Sequence, residues 1–140
     1  MENMKKILAA VDGSKPSMHA ARLGLEIAQG MGAELTLIYS VPPVAMPGEV
    51  PFTVVNDVVK AEVARGNEIV NEAVRDLGGR LKGMVVEGPP AERIAELAEA
   101  DGYDLVVVGS RGRNAVARLF LGSVADRLVH ICKKPVLVSR

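Results

Sequence analysis

At 140 residues the chain fits one compact domain over 1–140, long enough to bury a core. Its 49% hydrophobic and 24% charged residues are those of an ordinary soluble protein, and a net charge of +0 provides no broad basic face for nucleic acid. Phe52, Phe120, Tyr39 and Tyr103 are the only aromatics, too few for a base-stacking platform, and the single cysteine, Cys132, excludes an intrachain disulfide. No apolar run reaches the roughly 18 residues of a membrane span, and no signal peptide precedes Lys6, so a reducing cytoplasm is the expected setting.

Lys6 to Val11 is a continuous apolar run, the pattern of a strand buried on both faces. Asp12-Gly13-Ser14 then turns into a helix, with Ser14 as N-cap and Pro16 tolerated in the first turn. Met18, Ala21, Leu25 and Ala28 recur at helical spacing, and Gly30 to Gly32 ends the helix. Glu34 to Val41 is the second strand. The stretch 41–51 holds Pro42, Pro43, Pro47 and Pro51, and reads as a loop rather than helix or central strand.

A long helix follows, with Val55, Val58, Val59, Val63, Ile69, Val70, Ala73, Val74 and Leu77 on one face; Gly78-Gly79 closes it. Gly66 lies inside this helix and should weaken it by about 1 kcal/mol relative to Ala. Gly83 to Glu87 is a short third strand, and Pro89-Pro90 opens a helix whose core face is Ile94, Leu97 and Ala98. Asp104 to Gly109 is the fourth strand, Ser123 to Ile131 the fourth helix and Pro135 to Ser139 the fifth strand. This alternation predicts a parallel sheet with helices on both faces.

The chemistry concentrates after the fourth strand. Gly109, Gly112 and Gly122-Ser123 form a Gly-x2-Gly-x9-Gly-Ser pattern that leads into a helix. Glycines let backbone N–H groups approach a ligand, and a helix N-terminus offers unpaired N–H groups and a positive dipole end. Together these make an anion site, best suited to phosphates, with Arg111, Arg113 and Arg118 nearby to balance charge. No P-loop and no Gly-x-Gly-x-x-Gly follows the first strand. His19 and His130 lack Cys or His partners at metal-ligand spacing. Ser123 reads both as N-cap and as phosphate ligand. Asp12 reads either as a carboxylate for a ribose or a divalent ion, or as a cap of its own turn.

With Ala10-Val11-Asp12-Gly13-Ser14 after the first strand and the closing Lys134-Pro135-Val136-Leu137-Val138, this spacing resembles the universal stress protein family, and within it the ATP-binding branch. The resemblance runs from Lys5 to Val138. It implies a Rossmann-like, doubly wound five-stranded parallel sheet in the order 3-2-1-4-5. Strands one and four then flank a topological switch, where ligands bind in such sheets. It further implies ATP with Mg2+ or Mn2+, bound by Ala10, Asp12, Val41, Gly109, Arg111, Gly112, Arg113, Gly122, Ser123 and Val124, with Asp12 as the metal contact. A homodimer through Val136, Leu137 and Val138 is expected, since these end the sheet at an open edge. A regulatory module is the leading role. A slow ATPase, and an interaction protein with little nucleotide dependence, stay open; no residue stands out for activating water.

Overall fold

The computed structural model describes residues 4–44, 48–111 and 121–140. Nine elements alternate along these residues: β1 (Lys6–Ala10), α1 (Lys15–Met31), β2 (Glu34–Val41), α2 (Phe52–Leu77), β3 (Leu81–Glu87), α3 (Pro90–Ala100), β4 (Leu105–Gly109), α4 (Ser123–Ile131) and β5 (Val136–Ser139). All strand pairs are parallel, and the sheet order is β3-β2-β1-β4-β5. The fold is thus the α/β, Rossmann-like architecture expected.

Strand alternation sorts the core into two layers. Ile7, Ala9, Leu35, Leu37 and Val107 point to one face, where Ala20, Ala21, Leu25 and Ala28 of α1 and Val70 and Ala73 of α2 cover them. Leu8, Ile38, Val106 and Val108 point to the other, beneath Ala91, Ile94 and Ala98 of α3 and Ala125 and Leu128 of α4. Cys132, half-buried, packs against this second layer.

Several boundaries shift from the sequence expectation. β3 begins at Leu81 rather than Gly83, because Leu35 and Thr36 of β2 continue the ladder to Leu81 and Lys82. α2 begins at Phe52, three residues before the first apolar position of its stripe. Its N-terminal turns overhang the sheet: only Gly66, Val70 and Ala73 are buried, while Phe52 is 81% exposed.

Gly66 turns out to be a contact, not a weak link. A Cβ there would lie 2.5 Å from the Tyr39 ring, and one at Gly83 would meet the Val70 side chain. Both glycines let α2 lie close on β2 and β3. The propensity cost at Gly66 is therefore offset by packing that a side chain would block.

At the amino end of the sheet, the Asp104 carboxylate accepts from the N–H groups of Lys5 (2.8 Å) and Lys6 (3.0 Å), clasping β1 to β4. The Lys5 and then the Lys6 amide hold its pKa below the usual carboxylate value. Arg127 Nε donates to Glu92 (2.8 Å), tying α4 to α3. Asp104, just before β4, lies away from the carboxyl ends of the strands.

Candidate functional site at the strand switch

β1 hydrogen-bonds to β2 on one side and β4 on the other, so the chain leaves their carboxyl ends in opposite directions and opens a crevice there. In register, Ala9 pairs with Val107, and continuing the ladder brings Val11 level with Gly109. The two sequence motifs therefore meet, as the resemblance implied.

The first wall is the turn from β1 into α1. Ser14 is the N-cap, extended at φ −81° and ψ 157°, and its Oγ accepts from Ser17 N–H at 3.3 Å. Ser14 N–H donates to Asp12 Oδ1 at 2.8 Å, which is the turn-capping role weighed for Asp12. Asp12 N–H donates to Ser17 Oγ at 3.1 Å, and that hydroxyl donates to the Ser14 carbonyl at 3.0 Å. Val11 N–H donates to the Ile38 carbonyl at 2.9 Å, so the turn stays attached to the sheet.

The second wall is built on β4. Ser110 N–H donates to the Ser139 carbonyl at 2.6 Å, and the Ser110 carbonyl accepts from Gly122 N–H at 2.5 Å. The chain leaves at Ser110 and returns at Gly122, so the first and last glycines of the motif become near neighbours. Gly122 carries the N-cap conformation of α4 (φ −62°, ψ 157°). Ser123 is the first helical residue, which corrects its reading as N-cap: the cap backbone belongs to Gly122, which has no side chain to cap this end. The first N–H groups of α4 thus have no intrahelical partner and face the end of the sheet that bears Gly109. Arg111, Gly122 and Val124 are half-buried and Ser123 is exposed. Gly112 and Arg113, with Arg118, lie outside the described residues.

Gly109 has a packing reason to be glycine that the sequence did not display. Its φ is not positive, and a Cβ there would lie 3.0 Å from the Pro16 carbonyl oxygen. The first turn of α1 rests directly on the end of β4. Gly109 thus joins the two walls.

Ala10 ends β1, half-buried, and Val41 ends β2, buried. The Val41 carbonyl accepts from Gly88 N–H at 2.9 Å, and Ser40 Oγ donates to the Gly88 carbonyl at 2.8 Å. A carbonyl oxygen has two lone pairs, so Val41 keeps capacity for a base edge. Of two surface hollows, one lies apart from the motifs and the other borders the turn after β1. A groove of about 560 Å³ lies between α2 and β3, with Val59, Lys60, Val63 and Val85 in its lining. A smaller one, about 220 Å³, flanks the first turns of α1 and includes Gly13 and Lys15. Among the described residues no His, Cys, Asp and Glu cluster forms a metal cage, and no helix is long and apolar enough to cross a membrane.

The sheet order defines a doubly wound α/β protein with a topological switch between β1 and β4. The sequence profile described as "Universal stress protein family" matches residues 3–140, and the chain belongs to that family. A universal stress protein of Methanocaldococcus jannaschii is 36% identical over 99% of this chain and 84% of its own length. One from Thermus aquaticus is 35% identical over 97% of this chain and 98% of its own. Among solved structures, the universal stress protein UspA from Lactobacillus plantarum superposes over 100% of both chains with a TM-score of 0.85 at 26% identity. A universal stress protein in complex with cAMP superposes over 99% of both chains with a TM-score of 0.75, also at 26% identity.

Proposed function

We propose that this chain is a nucleotide-binding domain over 1–140 that takes ATP, with Mg2+ or Mn2+, in the β1–β4 crevice. In this reading it serves the stress response in the cytoplasm as a nucleotide-dependent regulatory module. The observation that carries the proposal is the Ser110–Gly122 backbone bond, which sets the open N-terminus of α4 beside the end of β4. Such an end attracts phosphate through its N–H groups and its dipole. The cAMP complex of a relative with the same fold supports an adenine nucleotide as the ligand class.

In the proposed arrangement the N–H groups of Ser123 and Val124, with Arg111, Gly112 and Arg113, hold phosphates, and Gly122, whose own N–H is held by Ser110, leaves room for them. The Asp12 carboxylate meets ribose hydroxyls or the ion, and the Ala10 and Val41 backbones face the nucleoside. A bound divalent ion would supply charge neutralisation for the phosphates.

The working unit in this proposal is a homodimer through β5. Val106 N–H donates to Pro135 and Ser110 N–H to Ser139, so the odd-numbered residues of β5 face β4. Val136 and Val138 then turn their N–H and C=O groups to the open edge, which suits pairing with a second copy.

Isothermal calorimetry with Mg·ATP tests the nucleotide reading. The wild type should bind and Gly122→Val should not, because a branched side chain would occupy the phosphate position. Equal affinity of the two proteins would refute the site.

A further inference from the structure

Ser17 is a polar residue in the buried wall of α1, only 5% exposed, and the sequence pattern gave no reason to single it out. It is the third helical residue after the Ser14 cap. In a capping box that place belongs to Glu or Gln, whose side chain reaches back to the N–H of the cap residue. A serine is too short for this. Here Ser14 N–H goes to Asp12 Oδ1 instead. The Ser17 hydroxyl accepts from the N–H of Asp12 itself and donates to the Ser14 carbonyl. Ser14 Oγ closes the set by accepting from Ser17 N–H. Four hydrogen bonds among three residues thus use the Asp12 carboxylate as a working part of the helix cap.

We infer that Ser17 is a positioning residue for the nucleotide site: its hydroxyl fixes the Asp12 backbone, and through it the direction of the Asp12 carboxylate. This rests on the nucleotide reading above. The physical argument is one of preorganisation. An Asp at a strand end with a free N–H rotates about its backbone and must be ordered when ligand binds, at a cost in affinity. With both its N–H and Oδ1 tied to α1, whose first turn also rests on Gly109, the carboxylate is held in place before ligand arrives. A long Glu at 17 would cap the helix alone and leave Asp12 untethered.

The test is a double-mutant cycle read as the Kd for Mg·ATP, with urea melts to establish that each variant is folded. Ser17→Ala should weaken binding about fivefold to tenfold, the scale of one lost neutral hydrogen bond. In an Asp12→Ala background the same change should alter Kd less than twofold, because the group it positions is gone. A purely structural role would lower the urea midpoint and leave Kd unchanged. Wild-type affinity in folded Ser17→Ala, or effects of the two substitutions that simply multiply, would overturn the inference while leaving nucleotide binding intact. A wild type that does not bind Mg·ATP would instead remove the nucleotide reading itself, and this inference with it.

Discussion

The two walls of the crevice are held by different physics. The β1–α1 wall is a hydrogen-bonded knot in which Asp12, Ser14 and Ser17 satisfy one another. Among the described residues, the β4–α4 wall is tied by backbone bonds from Ser110 N–H to Ser139 and from Gly122 N–H to Ser110, and its N-cap residue, Gly122, has no side chain to cap the helix start. A capped wall is rigid before ligand arrives, whereas an uncapped helix start leaves N–H groups for a ligand to satisfy. The comparison teaches that the phosphate end and the ribose end of such a site have opposite requirements. One keeps donors open, and the other uses donors to aim a carboxylate.

Gly109 lies where the walls touch, so it offers the strongest way to break them apart. Gly109→Ala places a methyl 3.0 Å from the Pro16 carbonyl, and backbone has little freedom to yield. We expect a loss of about 1–3 kcal/mol of stability in urea melts, the usual range for overpacking. A midpoint equal to wild type would mean that the contact between the walls is slack.

Val138→Pro probes the sheet edge next to the second wall. It removes an outward N–H from each copy without breaking a bond to β4. Analytical ultracentrifugation should show dimer association weakened by that change about tenfold or more in favour of monomer, on the scale of two lost hydrogen bonds. A wild type that sediments as a monomer at micromolar concentration would contradict the β5 dimer.

The smallest effect separates the two glycines of the motif. Gly122 has a φ of −62°, which any residue adopts, so Gly122→Val should stay within about 0.5 kcal/mol of wild type in the same melts while losing nucleotide. A large destabilisation would show that Gly122, like Gly109, is held by packing.

These residues also show what a sequence displays and what it hides. β1 and β4 were legible because strands buried on both faces read as unbroken apolar runs, as Ile7–Ala9 and Leu105–Val108 do. The spacing from Gly109 to Gly122 pointed to the second wall, because a turn between strand and helix carries its own residue pattern. The strand order came only through family resemblance, since crossover handedness does not by itself choose which edge a strand joins. The reasons for Gly66, Gly83 and Gly109 were hidden. Each answers to a partner far along the chain (Tyr39, Val70 or Pro16), and no local pattern carries that information. Ser17 was missed for a related reason: a lone serine in a helix reads as surface, and only burial and the bond to Asp12 give it a role. The stripe of α2 begins only at Val55 because its first turn, with Phe52 exposed, carries no apolar periodicity toward the sheet.

The most direct test of the account is a titration of 15N-labelled protein with Mg·ATP, followed by amide chemical shifts. The account predicts the largest shifts at Asp12, Gly13, Arg111, Gly122, Ser123 and Val124, with Val41 moving less and the α2–β3 groove around Val59 and Val85 silent. Shifts centred on that groove, or none at millimolar ATP, would contradict the assignment of the nucleotide to the β1–β4 crevice.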